Sequence, residues 1–270
     1  MNNLIIDYIN KCKLNGFPNF TLDTNILYNE YKKLCNLTDL KNSSNTIGLD
    51  IIYHYHPSLW LANKKGKVSP YEAWHNDTLL CRCIENRLKY KGDKLYPKDI
   101  LKGFSISGIA PKVSIFRPYL AKYIINKYLK EYDEIFDPFS GYSGRLLGAS
   151  SLNKKYIGQD INPITIKESN NLIHNLNLQN ITITNKNSLG CKGKYECLFT
   201  CPPYGEKENW NMSIAPFECD EWIDICLKNY KCNKYVFIVD KTEKYKKYIV
   251  EEISNKSHLN NASKEYILVI

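Results

Sequence analysis

Three stretches of this 270-residue chain hold residue types at a spacing that suits a nucleotide-like ligand beside a group-transfer step. The first is Asp137-Pro138-Phe139-Ser140-Gly141-Tyr142-Ser143-Gly144-Arg145, which follows the apolar Ile135-Phe136 and leads into Leu146-Leu147-Gly148-Ala149. A buried strand that ends in an acid, then a glycine-bearing turn that opens a helix, is how open α/β sheets build such sites, because glycine lets a ligand approach the backbone. The second is Tyr156-Ile157-Gly158-Gln159-Asp160, a strand that also ends in a carboxylate. The third is Phe199-Thr200-Cys201-Pro202-Pro203-Tyr204-Gly205, where a later strand of the same sheet should end. Its two prolines stiffen the turn and keep the neighbouring groups aimed. The glycines run Gly141-x-x-Gly144-x-x-x-Gly148, which is not the G-x-G-x-x-G of a dinucleotide site, and the turn lacks the Lys-Ser/Thr pair of a phosphate-binding loop, so both are disfavoured.

The elements that must position these stretches alternate. The pattern predicts strand 133–137, helix 144–152, strand 155–160, helix 163–176, strands 180–185 and 195–200, helix 219–229, strand 234–240, helix 243–253 and strand 264–270. That order implies an α/β fold with a doubly wound, mostly parallel sheet, closed by an antiparallel hairpin over 255–270 with Asn260-Asn261 at its turn. Upstream, apolar residues at helical spacing mark helices over Leu4–Leu14, Asn25–Leu37 and Thr78–Tyr90, and Ser69-Pro70-Tyr71-Glu72 is a capped helix start. Gly103–Pro111 reads as a linker. The expected organisation is a small, mainly helical module over 1–110 and a catalytic domain over 111–270.

The net charge is +9, and between Asn63 and Lys130 stand 15 Lys and Arg against 5 Asp and Glu, a surplus of 10 that leaves the rest of the chain nearly balanced. A local basic face suits a phosphate backbone, with the solvated surface of a lysine-rich chain as the competing reading. Helix 78–90 carries Arg82, Arg87, Lys89 and Lys91 away from its apolar side and is the candidate nucleic-acid-facing helix. No secretory signal or spanning run is evident, so a cytosolic location is expected. The ten cysteines lack paired C-x-x-C spacing and read as free, partly buried thiols rather than disulfides or a zinc framework. His54 and His56 share a face if their segment is extended, but no acid or thiol lies at a telling spacing, so a structural or base-contacting role outweighs a metal and no metal is expected.

The glycine turn resembles the D-P-F-x-G-x-G loop of class I S-adenosylmethionine-dependent methyltransferases, with an extra residue before Gly144-Arg145-Leu146. Cys201-Pro202-Pro203-Tyr204 resembles the D/N/S-P-P-Y/F motif of the DNA amino-methyltransferases, of adenine-N6 or cytosine-N4 type. The resemblance implies S-adenosylmethionine as cofactor, held by Phe116, Arg117, Asp137, Pro138, Phe139, Ser140, Gly141 and Gly144 on its methionine side. Asp160 and Ile161 would serve its ribose, and Asn187 and Ser188 its adenine, where the family usually has an Asp. Phe116-Arg117-Pro118 resembles the helix entry that precedes the glycine loop in those enzymes. Cys201, Pro202, Pro203 and Tyr204 would be catalytic, with Tyr204 stacking on a base swung out of DNA and Trp210, in the following loop, contacting substrate.

The chemistry accounts for the motif. The lone pair of an aryl amine is delocalised into its ring, and acceptors for its N–H groups draw it out while the methyl group sits in line behind it. Cys201 departs from the family pattern, and because a thiol accepts weakly, polarisation falls more on the Pro202 carbonyl. Cytosine-carbon methyltransferases place a nucleophilic Cys after the Pro, whereas Cys201 precedes it, which argues against attack on carbon. The resemblance also implies DNA as partner, with a cognate restriction nuclease a further one, and leaves sequence reading to the N-terminal residues. Adenine is favoured over cytosine as target. The rival readings are an RNA-base or protein-amide methyltransferase on the same fold, and a non-catalytic nucleic-acid-binding protein.

Overall fold

The computed structural model describes residues 3–18, 22–64, 66–203, 217–253 and 264–270, and the backbone of 208–209. It divides into two compact units. One comprises Met1–Thr21, Pro57–Ser114 and Glu206–Ile214; the other comprises Leu22–His56, Ile115–Gly205 and Ala215–Ile270.

The chain begins with α1 (Asn3–Asn15), α2 (Thr24–Asn36) and α3 (Leu49–Tyr55), then β1 (Asn63–Lys64), α4 (Pro70–Trp74), α5 (Asp77–Lys91), α6 (Pro97–Ile106) and α7 (Pro118–Tyr128). The alternating part is β2 (Glu134–Asp137), α8 (Gly144–Ser150), β3 (Lys155–Asp160), α9 (Pro163–Asn175), β4 (Ile181–Asn185), β5 (Gly193–Lys194) and β6 (Cys197–Thr200). After β7 (Glu208–Asn209) come α10 (Cys219–Asn229), β8 (Tyr230–Lys231), β9 (Lys234–Val239), β10 (Ile249–Glu252) and β11 (Tyr266–Val269). Local chemistry sets several helix starts. Ser69 Oγ accepts from the Glu72 amide at 3.1 Å while the Ser69 amide donates to Glu72 at 2.7 Å, ahead of Pro70. Asn162 caps α9 from one side, accepting from the Ile164 amide at 2.9 Å, with Pro163 at its first position.

In the larger unit the seven strands run β10-β11-β9-β6-β2-β3-β4. β9, β6, β2, β3 and β4 pair in parallel, and β10 and β11 close the edge antiparallel. This is the expected doubly wound, mostly parallel α/β sheet. From β2 the chain winds out through β3 and β4, then crosses back to β6 on the other side of β2. The reversal places the carboxyl ends of β2 and β6 side by side, where ligands bind in open α/β sheets. One face of the sheet packs Phe136, Leu198, Phe237, Val239 and Leu268 against Ile223, Cys226 and Tyr230, and such near-continuous apolar strands are what parallel sheets buried on both faces require.

The segment 22–56 clusters with this unit. The buried Lys122 of α7 donates to the carbonyls of Leu34 and Cys35 at 2.6 and 2.7 Å, closing the end of α2, and Tyr31 shares a 2.6 Å hydrogen bond with Ser150 of α8.

The smaller unit buries Ile5, Ile9 and Cys12 of α1, Leu80, Cys83 and Ile84 of α5, and Ile100, Leu101 and Phe104 of α6. Its short β1 pairs antiparallel with β7, Asn63 opposite Asn209.

Three local expectations are corrected. Helix 243–253 is replaced by a 3-10 turn at Lys246–Tyr248 and strand β10, which pairs antiparallel with β11. The β-branched Ile249-Val250 favour a strand, and Glu251 accepts from Tyr123, Tyr128 and Lys127 of α7 at 2.8, 2.6 and 2.8 Å. The closing hairpin therefore starts at Ile249; the expected turn at Asn260-Asn261 lies outside the described residues. Gly103–Ile106, read as the start of a linker, is the last turn of α6. A Cβ on Gly103 would stand 2.7 Å from Arg87 and Cys83 side-chain atoms, so this glycine serves close packing of α6 on α5, and Arg87 is buried rather than on the exposed face. Finally, Tyr53–Tyr55 is helical, so His54 and His56 do not share an extended face.

Candidate functional site

The carboxyl end of β2 is built around Asp137, which is fully buried. Its Oδ2 accepts from Arg145 Nε at 2.6 Å and from the Tyr156 hydroxyl at 2.7 Å. Its Oδ1 accepts from Thr200 Oγ1 at 2.6 Å and from the Phe139 amide at 3.1 Å. One carboxylate thus ties together the turn after β2, helix α8, strand β3 and the last residue of β6. Burial and the nearby Asp137 push the Tyr156 pKa well above its ordinary value, so Tyr156 stays a donor. Burial acts to lower the pKa of Arg145, but Asp137, Tyr156 and Cys201 together outweigh it and raise the value, so the guanidinium stays charged. Arg145 also donates to the Phe139 carbonyl and lies under the Phe116 ring at 5.1 Å. An ion pair this deep holds only because its hydrogen bonds are nearly complete.

The three glycines of the motif do different work. Gly141 has φ +54°, which a glycine adopts at no cost, and a Cβ there would meet nothing nearer than the Phe139 carbonyl at 3.9 Å, so the side of the turn is open to a ligand. Gly144 and Gly148 are packing glycines. A Cβ on Gly144 would fall 1.9 Å from the Phe116 carbonyl oxygen, and one on Gly148 would fall 2.5 Å from Ala121 Cβ. They let α8 lie against α7 and its entry, which is how Phe116 comes to border the turn. Ser140 donates its amide to the Gln159 carbonyl at 2.8 Å. Its hydroxyl is buried with no hydrogen-bond partner among the described residues, a condition that calls for one.

At the end of β3, Asp160 accepts from the Gly141 amide at 2.9 Å and from the Asn162 amide at 2.9 Å. Burial raises its pKa above the ordinary carboxylate value, against the lowering effect of those two amides. Asn185 donates to the carbonyls of Asp160 and Ile161 at 3.0 and 2.8 Å and holds that strand end in place. Ser188 is buried and donates to the Pro138 carbonyl at 2.6 Å, bracing the glycine turn from the loop after β4. Asn187 is exposed beside it, its side chain accepting from the Leu189 amide at 3.0 Å.

Cys201, Pro202 and Pro203 leave β6 directly after Thr200, with Pro202 buried and its neighbours half-buried. Cys201 lies near enough to Arg145 to interact with its charge. Tyr204 and Trp210 lie outside the described residues. Arg117 is half-buried, and burial lowers its pKa while Glu265 opposes the change. The structure thus joins the β2 and β6 ends through Asp137, and the β3 end to the turn after β2 through the Gly141 amide and Asp160.

Sequence reasoning missed a second buried network. His56, directly after α3, has no exposed surface; its Nε2 lies 2.9 Å from Ser143 Oγ and its Nδ1 lies 3.1 Å from Glu168 of α9. The only advance signal was the histidine pair, and the sequence separation of 87 between His56 and Ser143 hid the partner. His54 accepts from the Leu22 amide at 3.0 Å, a local structural role. Among the described residues no three His, Cys, Asp or Glu side chains could hold a metal ion, no helix is long and apolar enough to cross a membrane, and all ten cysteines are free thiols.

In the smaller unit Arg82, Lys89, Lys91, Lys94, Lys98 and Lys102 are exposed along α5, α6 and the corner between them, beside Tyr90 and Tyr96, which are 69% and 58% exposed. Lys91 is paired with Asp99 at 2.9 Å.

No protein-family model matches the chain. No curated protein sequence matches it. Among solved structures it is similar to a putative methyltransferase of Escherichia coli, at 15% identity and TM-score 0.41 over 55% of this chain and 82% of that one. It is similar to TrmN of Thermus thermophilus, at 12% identity and TM-score 0.42 over 56% and 48% of the two chains. A putative RNA methyltransferase of Pyrococcus horikoshii matches at 12% identity and TM-score 0.41 over 56% and 81%. With identities of 15% or less in these three, the reading of the site rests on this chain's own residues.

Proposed function

We propose that this protein binds S-adenosylmethionine at the ends of β2 and β3 and transfers its methyl group to an exocyclic base amine, in DNA and with adenine as the favoured target. The observation that carries the reading is the hydrogen bond from Thr200 to Asp137, 2.6 Å, at the point where the strand order reverses. It fixes the cofactor turn and the Cys201-Pro202-Pro203 turn to one buried carboxylate, so donor and acceptor sites share a frame. The residues fit the cofactor. The side of Gly141 is open, the Ser140 hydroxyl awaits a partner, and Asp160 offers carboxylate oxygens of the kind that accept from a ribose diol.

The bound cofactor supplies an electrophilic methyl group. The chain supplies the rest: the rigid Pro-Pro turn holds the Pro202 carbonyl to accept from the amine, which frees its lone pair for attack. The fixed frame supplies alignment, which is where much of the barrier reduction in a two-substrate transfer arises. The basic surface of the smaller unit supports a nucleic acid as substrate.

The test is transfer of radiolabel from methyl-labelled S-adenosylmethionine to duplex DNA, structured RNA and total protein, compared side by side. Label in DNA, released as N6-methyladenine on digestion, is the expected result. Label in RNA or protein alone moves the substrate, and no label despite measurable cofactor binding sinks the transferase reading.

A further inference from the structure

The glycine turn contains a residue that does not suit its backbone. Ser143 has φ +62°, in the left-handed region that non-glycine residues avoid, while its neighbour Gly144 is reserved for contact with the Phe116 carbonyl. A disfavoured backbone persists where the surroundings over-determine it, and here the surroundings are specific. Ser143 Oγ lies 2.9 Å from His56 Nε2 and 2.8 Å from Ser169 Oγ, and Ser169 in turn donates to the Thr165 carbonyl at 2.8 Å. His56 Nδ1 lies 3.1 Å from Glu168, so α9 holds both ends of the arrangement. Tyr142 packs edge-on to the imidazole with ring centroids 5.6 Å apart.

The order Glu168, His56, Ser143, at a strand-turn-helix corner, has the connectivity of an acyl-transfer triad. Ser143 and His56, however, have 0% exposure, so no substrate carbonyl reaches the hydroxyl. What such a chain does when sealed is lock orientation: each partner fixes the next and the last one fixes a backbone.

We propose that His56 is a positioning residue for the cofactor turn. Held by Glu168, it clamps Ser143 in the left-handed conformation and thereby sets the Gly141–Gly144 backbone that receives the ligand. The proposal rests on the reading of that turn as the S-adenosylmethionine site.

The experiment measures two quantities for each variant: S-adenosylhomocysteine affinity by calorimetry, and amide hydrogen exchange at residues 141–144 in the ligand-free protein. His56→Ala and Ser143→Ala are each expected to weaken binding about tenfold, the worth of one well-placed hydrogen bond, and to speed exchange in the turn. His56→Gln, whose amide can reach Ser143, recovers part of both. Ser143→Gly is the decisive variant. Glycine takes φ +62° without a clamp, so it recovers most of the affinity, and adding His56→Ala to it costs no further affinity even where the melting temperature falls.

A His56→Ala loss that persists undiminished in the Ser143→Gly background overturns the proposal. So does a drop in melting temperature with affinity and exchange both unchanged, or labelling of Ser143 by a fluorophosphonate. If the unaltered protein fails to bind S-adenosylhomocysteine, the cofactor reading falls, and the exchange measurements alone still decide whether His56 holds the turn.

Discussion

Two aspartates end adjacent strands of the sheet, and they are occupied in opposite ways. Asp137, closing β2, accepts from groups of α8, β3, β6 and the turn that follows it, and the cation among them, Arg145, is buried with it. Asp160, closing β3, is half-buried and accepts from two backbone amides of the turns beside it. A carboxylate accepts about four hydrogen bonds; protein donors supply that many to the first, whereas the second has lone pairs to spare. The difference separates framework from proposed binding: the same residue type at neighbouring strand ends ties four parts of the fold together in one place and, on the proposed function, would accept from the cofactor's ribose in the other.

Replacing the framework aspartate should have the largest effect. Asp137→Asn removes the charge opposite Arg145 and leaves a buried guanidinium unpaired, a loss of about 3–5 kcal/mol of folding stability. Urea denaturation followed by circular dichroism measures it. A change under about 1 kcal/mol would mean that Arg145 finds water or another acceptor, and that Asp137 is not the tie it is taken to be.

The aspartate to which the proposed function assigns binding should behave in the reverse sense. Asp160→Ala is expected to weaken S-adenosylmethionine binding by about 1.5–3 kcal/mol, the worth of charged hydrogen bonds, while folding stability shifts by less than the Asp137 variant's. Calorimetric titration beside the same urea series reads both. Unchanged affinity would move the ribose site away from β3 and dissolve the contrast.

How far the sequence carries this contrast depends on the range of each interaction. β3 and α10 are found where the residue pattern puts them, at Lys155–Asp160 and Cys219–Asn229, because apolar periodicity is a local property. The glycine turn is legible for the same reason. Its division of labour is not: that Gly141 serves the turn while Gly144 and Gly148 make room for α7 depends on a helix packed from more than 20 residues upstream. Asp137 and Asp160 look alike in the chain, and only the arrival of Arg145, Tyr156 and Thr200 at one of them tells them apart. Strand β10 was hidden in a different way. Tyr245, Tyr248, Ile249 and Ile253 have helical spacing, and pairing with β11 overrode it. The proposed His56 clamp joins the residue after α3, the residue before α8 and two residues of α9, and no short window contains it.

The smallest effect is a pH dependence, and it sharpens the comparison because binding and stability move in opposite directions. Accepting from a ribose diol requires the ionised carboxylate. Burial raises the pKa of Asp160 in the folded chain above the ordinary aspartate value of 3.8, so its ionised fraction declines at a higher pH than for an exposed aspartate. Below that raised pKa, affinity for S-adenosylhomocysteine should fall by up to about tenfold per pH unit. The stability term has the other sign. Between the unfolded and the raised folded value the folded state holds more protons at this site, so Asp160's contribution to stability grows as pH falls through that window and shrinks as pH rises through it. Calorimetry and thermal melts over the same mildly acidic range, run for the unaltered protein and for Asp160→Asn, separate the two. Affinity should decline while the fold persists, and the Asn variant should bind weakly with a flat profile. A profile in Asp160→Asn as steep as in the unaltered protein would assign the titration to another group and leave Asp160 a brace like its neighbour.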